Sequence, residues 1–203
     1  MTDTPPPGAR TSPSTARNRE PILKVLRPRL PAGARVLEVA SGAGEHAVFL
    51  AGAMADVAWQ PSDRDDLASI AAWRAQARLA NLAAPIVLDA TDPLTWPRGP
   101  FEAVVCINMI HIAPWAACEG LMALAGRVLA PGGRLFLYGP FLEAEVATAP
   151  GNLAFDQDLK ARNQAWGIRD LAEVAAEAGR HGLALRERIE MPASNLVVVF
   201  ERP

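Results

Sequence analysis

Apolar residues fall into two repeating patterns along the chain. Short apolar runs at 35–39, 57–59, 86–88, 101–107 and 134–138 are each followed within a few residues by Gly, Pro, Asn or Asp, and predict five strands. Between them lie stretches with helical composition, at 45–55, 67–82 and 116–129. The second carries an apolar stripe of Leu67, Ile70, Ala71 and Leu79, and the third stops at Pro131-Gly132-Gly133. The run from Phe101 to Ile107 is apolar apart from Glu102, as a strand covered on both faces requires. This alternation predicts an α/β fold, a parallel sheet with helices on both faces.

Both ends of the chain depart from that rhythm. After a helix at 169–181, strands at 183–191 and 196–201 are separated only by Pro192-Ala193-Ser194-Asn195, and so short a link joins antiparallel strands. Residues 1–14, rich in Pro, Thr and Ser, are expected to be a mobile tail. A helix is expected from Ser14, with Ile22, Leu23, Val25 and Leu26 on its apolar face. Pro21 is expected to break it or to open a second segment, and Pro28 and Pro31 close the region. Residues 15–203 are expected to form one domain. Within it, 15–32 is a helical lid, and 141–167 is an insertion near the substrate pocket, long for a strand–helix connection. No internal repeat is visible.

Composition narrows the picture. The chain has 203 residues, half of them hydrophobic, which supports a single full-sized core. The N-terminus carries Pro5, Pro6 and Pro7 with no apolar stretch, unlike a secretory signal, and no apolar run has the length of a membrane span. Cys106 and Cys118 are too few for a disulfide framework and lack metal-ligand spacing. Buried reduced thiols and a cytoplasmic location are therefore expected. Residues 1–35 hold seven basic residues against two acidic ones, whereas the remainder holds thirteen against twenty. An acidic body offers no broad surface for nucleic acid.

The candidate chemistry begins between the first strand and its helix. Gly42-Ala43-Gly44-Glu45-His46-Ala47 fits the G-x-G-x-x-A loop of dinucleotide binding, a short match that arises often by chance. The same loop, with Glu38 four residues before Gly42, fits S-adenosylmethionine. Glu38 is unfavourable beside a pyrophosphate and favourable beside the cationic end of a methionine. The C-terminal antiparallel pair and the short chain also favour the second ligand over a hydride-transferring one. Asp63 follows the second strand, where a carboxylate can accept from both ribose hydroxyls. Asp89, beside Ala90, either accepts from an adenine amino group or simply forms a turn with Thr91, Asp92 and Pro93.

Longer peptides carry a more specific resemblance. They include Asn18-Arg19-Glu20-Pro21-Ile22-Leu23, Val36-Leu37-Glu38-Val39-Ala40-Ser41-Gly42, Trp59-Gln60-Pro61-Ser62-Asp63 and Cys106-Ile107-Asn108-Met109-Ile110-His111. Further along are Tyr138-Gly139-Pro140-Phe141, Asn152 with Phe155-Asp156, Trp166-Gly167-Ile168-Arg169-Asp170 and Met191-Pro192-Ala193-Ser194-Asn195. With these the chain resembles the class I methyltransferase-like proteins of domain-of-unknown-function 938, which include methyltransferase-like protein 26. The resemblance covers residues 16–201. It implies the Rossmann-like class I methyltransferase fold, a seven-stranded mostly parallel sheet closed by a C-terminal antiparallel hairpin, and S-adenosylmethionine as cofactor. It implies no particular substrate. Ala40 stands where the general methyltransferase loop has its first glycine, as is usual in this family.

Roles follow for the remaining residues. The cofactor is expected to lie against Glu38, Ala40, Ser41, Gly42, Gly44, Asp63, Asp89 and Ala90, with Asn108 near the methionine amine and His46 packed over it or shaping the turn. Asn18 and Arg19 are candidates for its carboxylate, because an arginine fork suits one. His111, after the fourth strand, is the candidate general base, with a hydrogen-bonded structural histidine as the plain alternative. His181 reads as a helix C-terminal residue. Tyr138, Phe141, Asn152, Phe155, Arg162, Trp166 and Asn195 are expected to line a substrate pocket, although Phe155 and Trp166 suit packing equally well. Trp59, Trp73, Trp96 and Trp115 are left to the core, and no metal ligands are expected. Asn108-Met109-Ile110-His111 is not the N-P-P-[FYW] box of amino methyltransferases, and neither cysteine sits in a Pro-Cys pair. The expected activity is S-adenosylmethionine-dependent methyl transfer to a small molecule. Its rivals are a cofactor sensor without turnover and an NAD(P)-dependent oxidoreductase.

Overall fold

Residues 4–65 and 67–203 are described by a computed structural model. The strands are β1 (Arg35–Val39), β2 (Ala58–Asp63), β3 (Ile86–Val87), β4 (Phe101–Ile107), β5 (Leu129–Gly139), β6 (Phe141–Leu142), β7 (Arg169–Asp170), β8 (Ala184–Met191) and β9 (Asn195–Glu201). The helices are α1 (Pro13–Leu26), α2 (Glu45–Ala53), α3 (Ala68–Ala77), α4 (Trp115–Val128), α5 (Pro150–Arg162) and α6 (Leu171–Arg180). Seven strands form the main sheet in the order β3-β2-β1-β4-β5-β9-β8, and β6 and β7 pair in parallel beside it. From β3 to β5 the strands are parallel, while β9 runs antiparallel to both β5 and β8. Strand order reverses between β1 and β4, which opens a crevice at their carboxyl ends.

Period-two alternation divides the core. Leu37, Val39, Val104, Cys106, Val198 and Phe200 face one side, packing with α4 and α6 through Leu121, Met122 and Val174. Val36, Ala103, Val105, Val197 and Val199 face the other, with Ile22 and Leu26 of α1 and Leu50 of α2. Trp59 and Trp73 are buried in this second layer, and Trp96 and Trp115 pack against the first. Both cysteines are free and buried, and burial raises both thiols, Cys118 to about 12. Asp170 caps α6 by accepting from the backbone of Ala172 and Glu173, a contact worth about 1 kcal/mol.

Several boundaries differ from the sequence expectation. α1 runs unbroken through Pro21, because burial of Ile22, Val25 and Leu26 outweighs one missing helical hydrogen bond. It starts at Pro13, so the tail boundary expected at residue 14 falls inside it. Of that tail, residues 1–3 lie outside the described residues. Further along it, the Arg10 backbone donates to Ser69 Oγ at 2.8 Å, and Trp73 Nε1 donates to the Arg10 carbonyl at 2.9 Å. β2 continues through Pro61, which sits opposite Glu38. β5 begins at Leu129 and passes an irregularity at its proline–glycine corner. Residues 141–167 hold a helix, α5, that periodicity missed: among its residues only Leu159 is buried, so it shows no apolar stripe. No described helix is long and apolar enough to cross a membrane.

Candidate functional site

The crevice is built by the loop that leaves β1. Three of its residues adopt left-handed backbone: Ala40 and Gly42, each with φ 58°, and Gly44, with φ 95°. Gly44 must be glycine for a second reason, since a Cβ there would lie 2.8 Å from the Ile70 Cα of α3. A Cβ on Gly42 would meet nothing within 4 Å, so the space over the loop is open. The loop is tied to the end of β2. The Ser41 N–H donates to the Ser62 carbonyl at 2.8 Å, and the Gly42 N–H donates to Asp63 Oδ2 at 2.8 Å.

Glu38 lies beneath the loop, buried at 1% exposure. Trp59 Nε1 donates to its Oε2 at 2.7 Å, and Ser62 Oγ donates to its backbone carbonyl at 2.6 Å. Burial lifts the Glu38 carboxyl to about 7, against the stabilising hydrogen bonds from Trp59 and Ser41. Glu38, the Gly42 N–H and Asp63 therefore form one acidic ledge at the switch point. Next along the strand ends, Asp89 uses Oδ1 to accept from the Thr91 N–H at 2.8 Å and the Thr91 hydroxyl at 2.7 Å, an Asx turn. Ala90 is buried, its carbonyl pressed against Gly120 of α4, where a Cβ would approach to 2.1 Å.

At the carboxyl ends of β4 and β5 lies a cavity of about 490 Å³. Asn108, left-handed at φ 63°, and Tyr138 come from the strand ends, Asn152 and Phe155 from α5, and Asn195 from the β8–β9 hairpin. Asn18 of α1 also borders it. His46 Nε2 lies 2.7 Å from Asn18 Oδ1, and burial, reinforced by the Arg19 charge, lowers the imidazole to about 4. Burial raises the Tyr138 hydroxyl, partly offset by its hydrogen bond with Asn18. The hairpin turn is strained, with Ala193 at φ 58° and Ser194 at φ 53°. Asn152 Nδ2 holds it by donating to the Ser194 carbonyl at 2.9 Å.

Five expected site residues lie elsewhere than the sequence suggested. Arg19 does not share the space of Asn18; its guanidinium lies 4.8 Å over the Phe49 ring, in an outer groove between α1 and α2. One helical step turns it away. His111 is 0% exposed, with its ring edge-on to Phe141 at 5.2 Å and no hydrogen-bond partner for either ring nitrogen among the described residues. Burial and the Arg169 charge lower it to about 3, so it sits behind the cavity wall as a neutral ring. Arg162 and Trp166 line neither this cavity nor the one beside it and stack on one another at 5.2 Å; Arg162 lies ten residues beyond Asn152, about 15 Å along the helix axis. Phe141 opens instead onto an adjoining cavity of about 310 Å³ that also takes in Asn152 and Asn195.

Arg17 and Ser14 of α1 line the larger cavity and escaped sequence reasoning. The signal was present: positions 14, 17 and 18 are i, i+3 and i+4 on one helical face. Trp59, taken only as core, is the partner of the buried Glu38. Among the described residues no three His, Cys, Asp or Glu side chains group as metal ligands.

A family model described as a protein of unknown function (DUF938) matches residues 9–202. The chain belongs to the DUF938 family. Solved structures similar to this DUF938 protein include an O-methyltransferase family protein from Burkholderia thailandensis, with a TM-score of 0.79 at 14% identity over 93% of this chain and 57% of that one. The S-adenosylmethionine-dependent methyltransferase SibL in its apo form has a TM-score of 0.78 at 20% identity, over 94% of this chain and 56% of that one. The mitomycin 7-O-methyltransferase MmcR has a TM-score of 0.77 at 14% identity, over 93% and 55%. This DUF938 protein thus has the class I methyltransferase fold and spans little more than half the length of those chains.

Proposed function

We propose that this DUF938 protein binds S-adenosylmethionine along the acidic ledge and transfers its methyl group to a small molecule held in the larger cavity. The observation that carries the proposal is the Gly42–Asp63 hydrogen bond, which sets a carboxylate and an open glycine loop side by side above buried Glu38. The residues suit the cofactor. Asp63 accepts a strong bond on Oδ2, and on Oδ1 one from the Arg64 N–H and a long one from the Asp65 N–H, which leaves Oδ2 acceptor capacity for a ribose hydroxyl. Glu38 gains charge stability from an ammonium, and Asn18 and Asn108 offer amides to the amino-acid end. Asp89 keeps Oδ2 for the base. The names of the structural neighbours, methyltransferases that include O-methyltransferases, point the same way.

When bound, the cofactor supplies an electrophilic methyl group on a sulfonium. The chain's own contribution is alignment and exclusion of water: α1 and α5 wall the cavity, and strained Asn108 and the hairpin turn fix its rim. Thermal shift and calorimetry test the assignment. S-adenosylmethionine and S-adenosylhomocysteine are expected to stabilise the protein and NAD(H) and NADP(H) to leave it unchanged; the reverse pattern overturns it. Transfer of labelled methyl into a metabolite extract then separates turnover from binding alone.

A further inference from the structure

The larger cavity has an unusual polar inventory. Its lining contains Asn18, Asn108, Asn152, Asn195, Tyr138 and Arg17, and among the described residues it contains no Asp, Glu or His. The adjoining cavity brings Glu143 and Glu190, but Arg188 engages both, at 2.6 Å and 3.1 Å. Two carboxylates sharing one guanidinium leave a negative charge in that adjoining cavity, whereas among the described residues Arg17 is the one charged side chain lining the larger cavity itself, which favours an anion there over an ammonium.

The same inventory bears on the nucleophile. An alcohol, a phenol or an alkylammonium must lose a proton before it can attack a methyl group, and a nearby base must take that proton. Among the described residues none lines the cavity. His111 is sealed behind Gly139 and Phe141, and a Cβ on Gly139 would come within 2.4 Å of its Nε2. His46 is bonded to Asn18, and the Tyr138 hydroxyl is raised. A carboxylic acid needs no base, because it is already ionised at neutral pH.

We infer that the acceptor is a small carboxylic acid, that Arg17 supplies its counter-charge, and that the product is a methyl ester. This inference rests on the methyltransferase reading above. One carboxylate oxygen forms the new bond to the methyl carbon as the sulfur–methyl bond breaks. The bonding pair stays on sulfur, which becomes a neutral thioether, and no proton moves. The negative acceptor and positive sulfonium cancel as they react, so an apolar wall such as Phe155 costs the reaction little.

Two measurements on the full chain test the inference, and both can fail independently of cofactor binding. In the first, protein saturated with S-adenosylhomocysteine is titrated with benzoate and cinnamate, and with benzamide and cinnamamide as uncharged counterparts. The acids are expected to bind at least about tenfold more tightly than the amides, and Arg17→Gln to remove that preference while cofactor affinity stays within about twofold. Equal binding of acid and amide overturns the inference, and so does an Arg17→Gln variant that loses the cofactor instead. In the second, labelled product from a metabolite extract is treated with mild alkali. The label is expected to leave as volatile methanol, as an ester requires; label that survives alkali, as an ether or methylamine would, overturns it. Failure to bind S-adenosylhomocysteine at all would strike the earlier proposal rather than the acid preference.

Discussion

The Gly42 N–H donates to Asp63 Oδ2 at 2.8 Å, joining the loop after β1 to the end of β2 across 21 residues of sequence. One carboxylate oxygen is thereby held in place before any ligand arrives. Asp63→Ala removes both this brace and the proposed ribose acceptor. Affinity for S-adenosylhomocysteine is expected to fall by about tenfold to a hundredfold, from the loss of hydrogen bonds to a charged group, as measured by calorimetry.

Two of the loop's left-handed residues, Ala40 and Gly44, make opposite predictions for stability. Ala40 holds φ 58° with a side chain, which costs about 1 kcal/mol, so Ala40→Gly is expected to be neutral or to stabilise. Gly44→Ala adds both backbone strain and a Cβ 2.8 Å from Ile70 Cα, and is expected to destabilise by about 2–4 kcal/mol. Urea denaturation of the two variants reads both signs.

Glu38 gives the stability a pH dependence. Its carboxyl is raised from 4.5 to about 7 in the folded protein, so between those values the native state binds the proton that the unfolded chain releases. Its contribution is fully present below about pH 4.5 and is lost as pH rises through about 7. Relative to wild type, Glu38→Gln is therefore expected to gain about 3 kcal/mol between pH 4.5 and pH 8. Denaturation midpoints of the pair across that range check the slope. A flat difference would mean that Glu38 stays ionised in the fold.

His111 works in the opposite direction. Its imidazole is lowered from 6.5 to about 3, so the unfolded chain binds the proton first, and stability falls as pH drops from 6.5 towards 3. His111→Leu removes an unpartnered buried polar ring and is expected to flatten that acid limb, while methyl transfer at neutral pH stays within about twofold. A hundredfold loss of turnover, with the fold intact by circular dichroism, would return His111 to the role of base.

Most of the sheet was legible because its strands are dictated by burial on both faces. The run from Phe101 to Ile107 admits little else, and the four-residue link at Pro192 fixes the antiparallel hairpin. The loop after β1 and its tie to Asp63 were legible for a related reason: glycines and acids at strand ends have few uses other than turns and ligands. What was not legible depended on rotation and depth. Arg19 and Arg17 look alike in sequence, and only the register of α1 against the sheet decides which enters the cavity. His111 sits one 3₁₀ turn past β4, and nothing in its neighbours announces that Phe141, thirty residues on, will seal it. α5 was invisible because it has almost nothing to bury.

That sparse attachment has a consequence of its own. α5 buries only Leu159 and is pinned by Asn152 to the Ser194 carbonyl and by Asp156 Oδ1, which accepts from the Ile168 N–H at 2.8 Å. The molecule thus separates grip from choice. The ledge by β1 is welded into the sheet and tolerates little revision, whereas the opposite wall is a replaceable panel hung on two fasteners. Redrawing the exposed face of that panel would re-tailor which acceptor is admitted, while the donor's berth stays as it is.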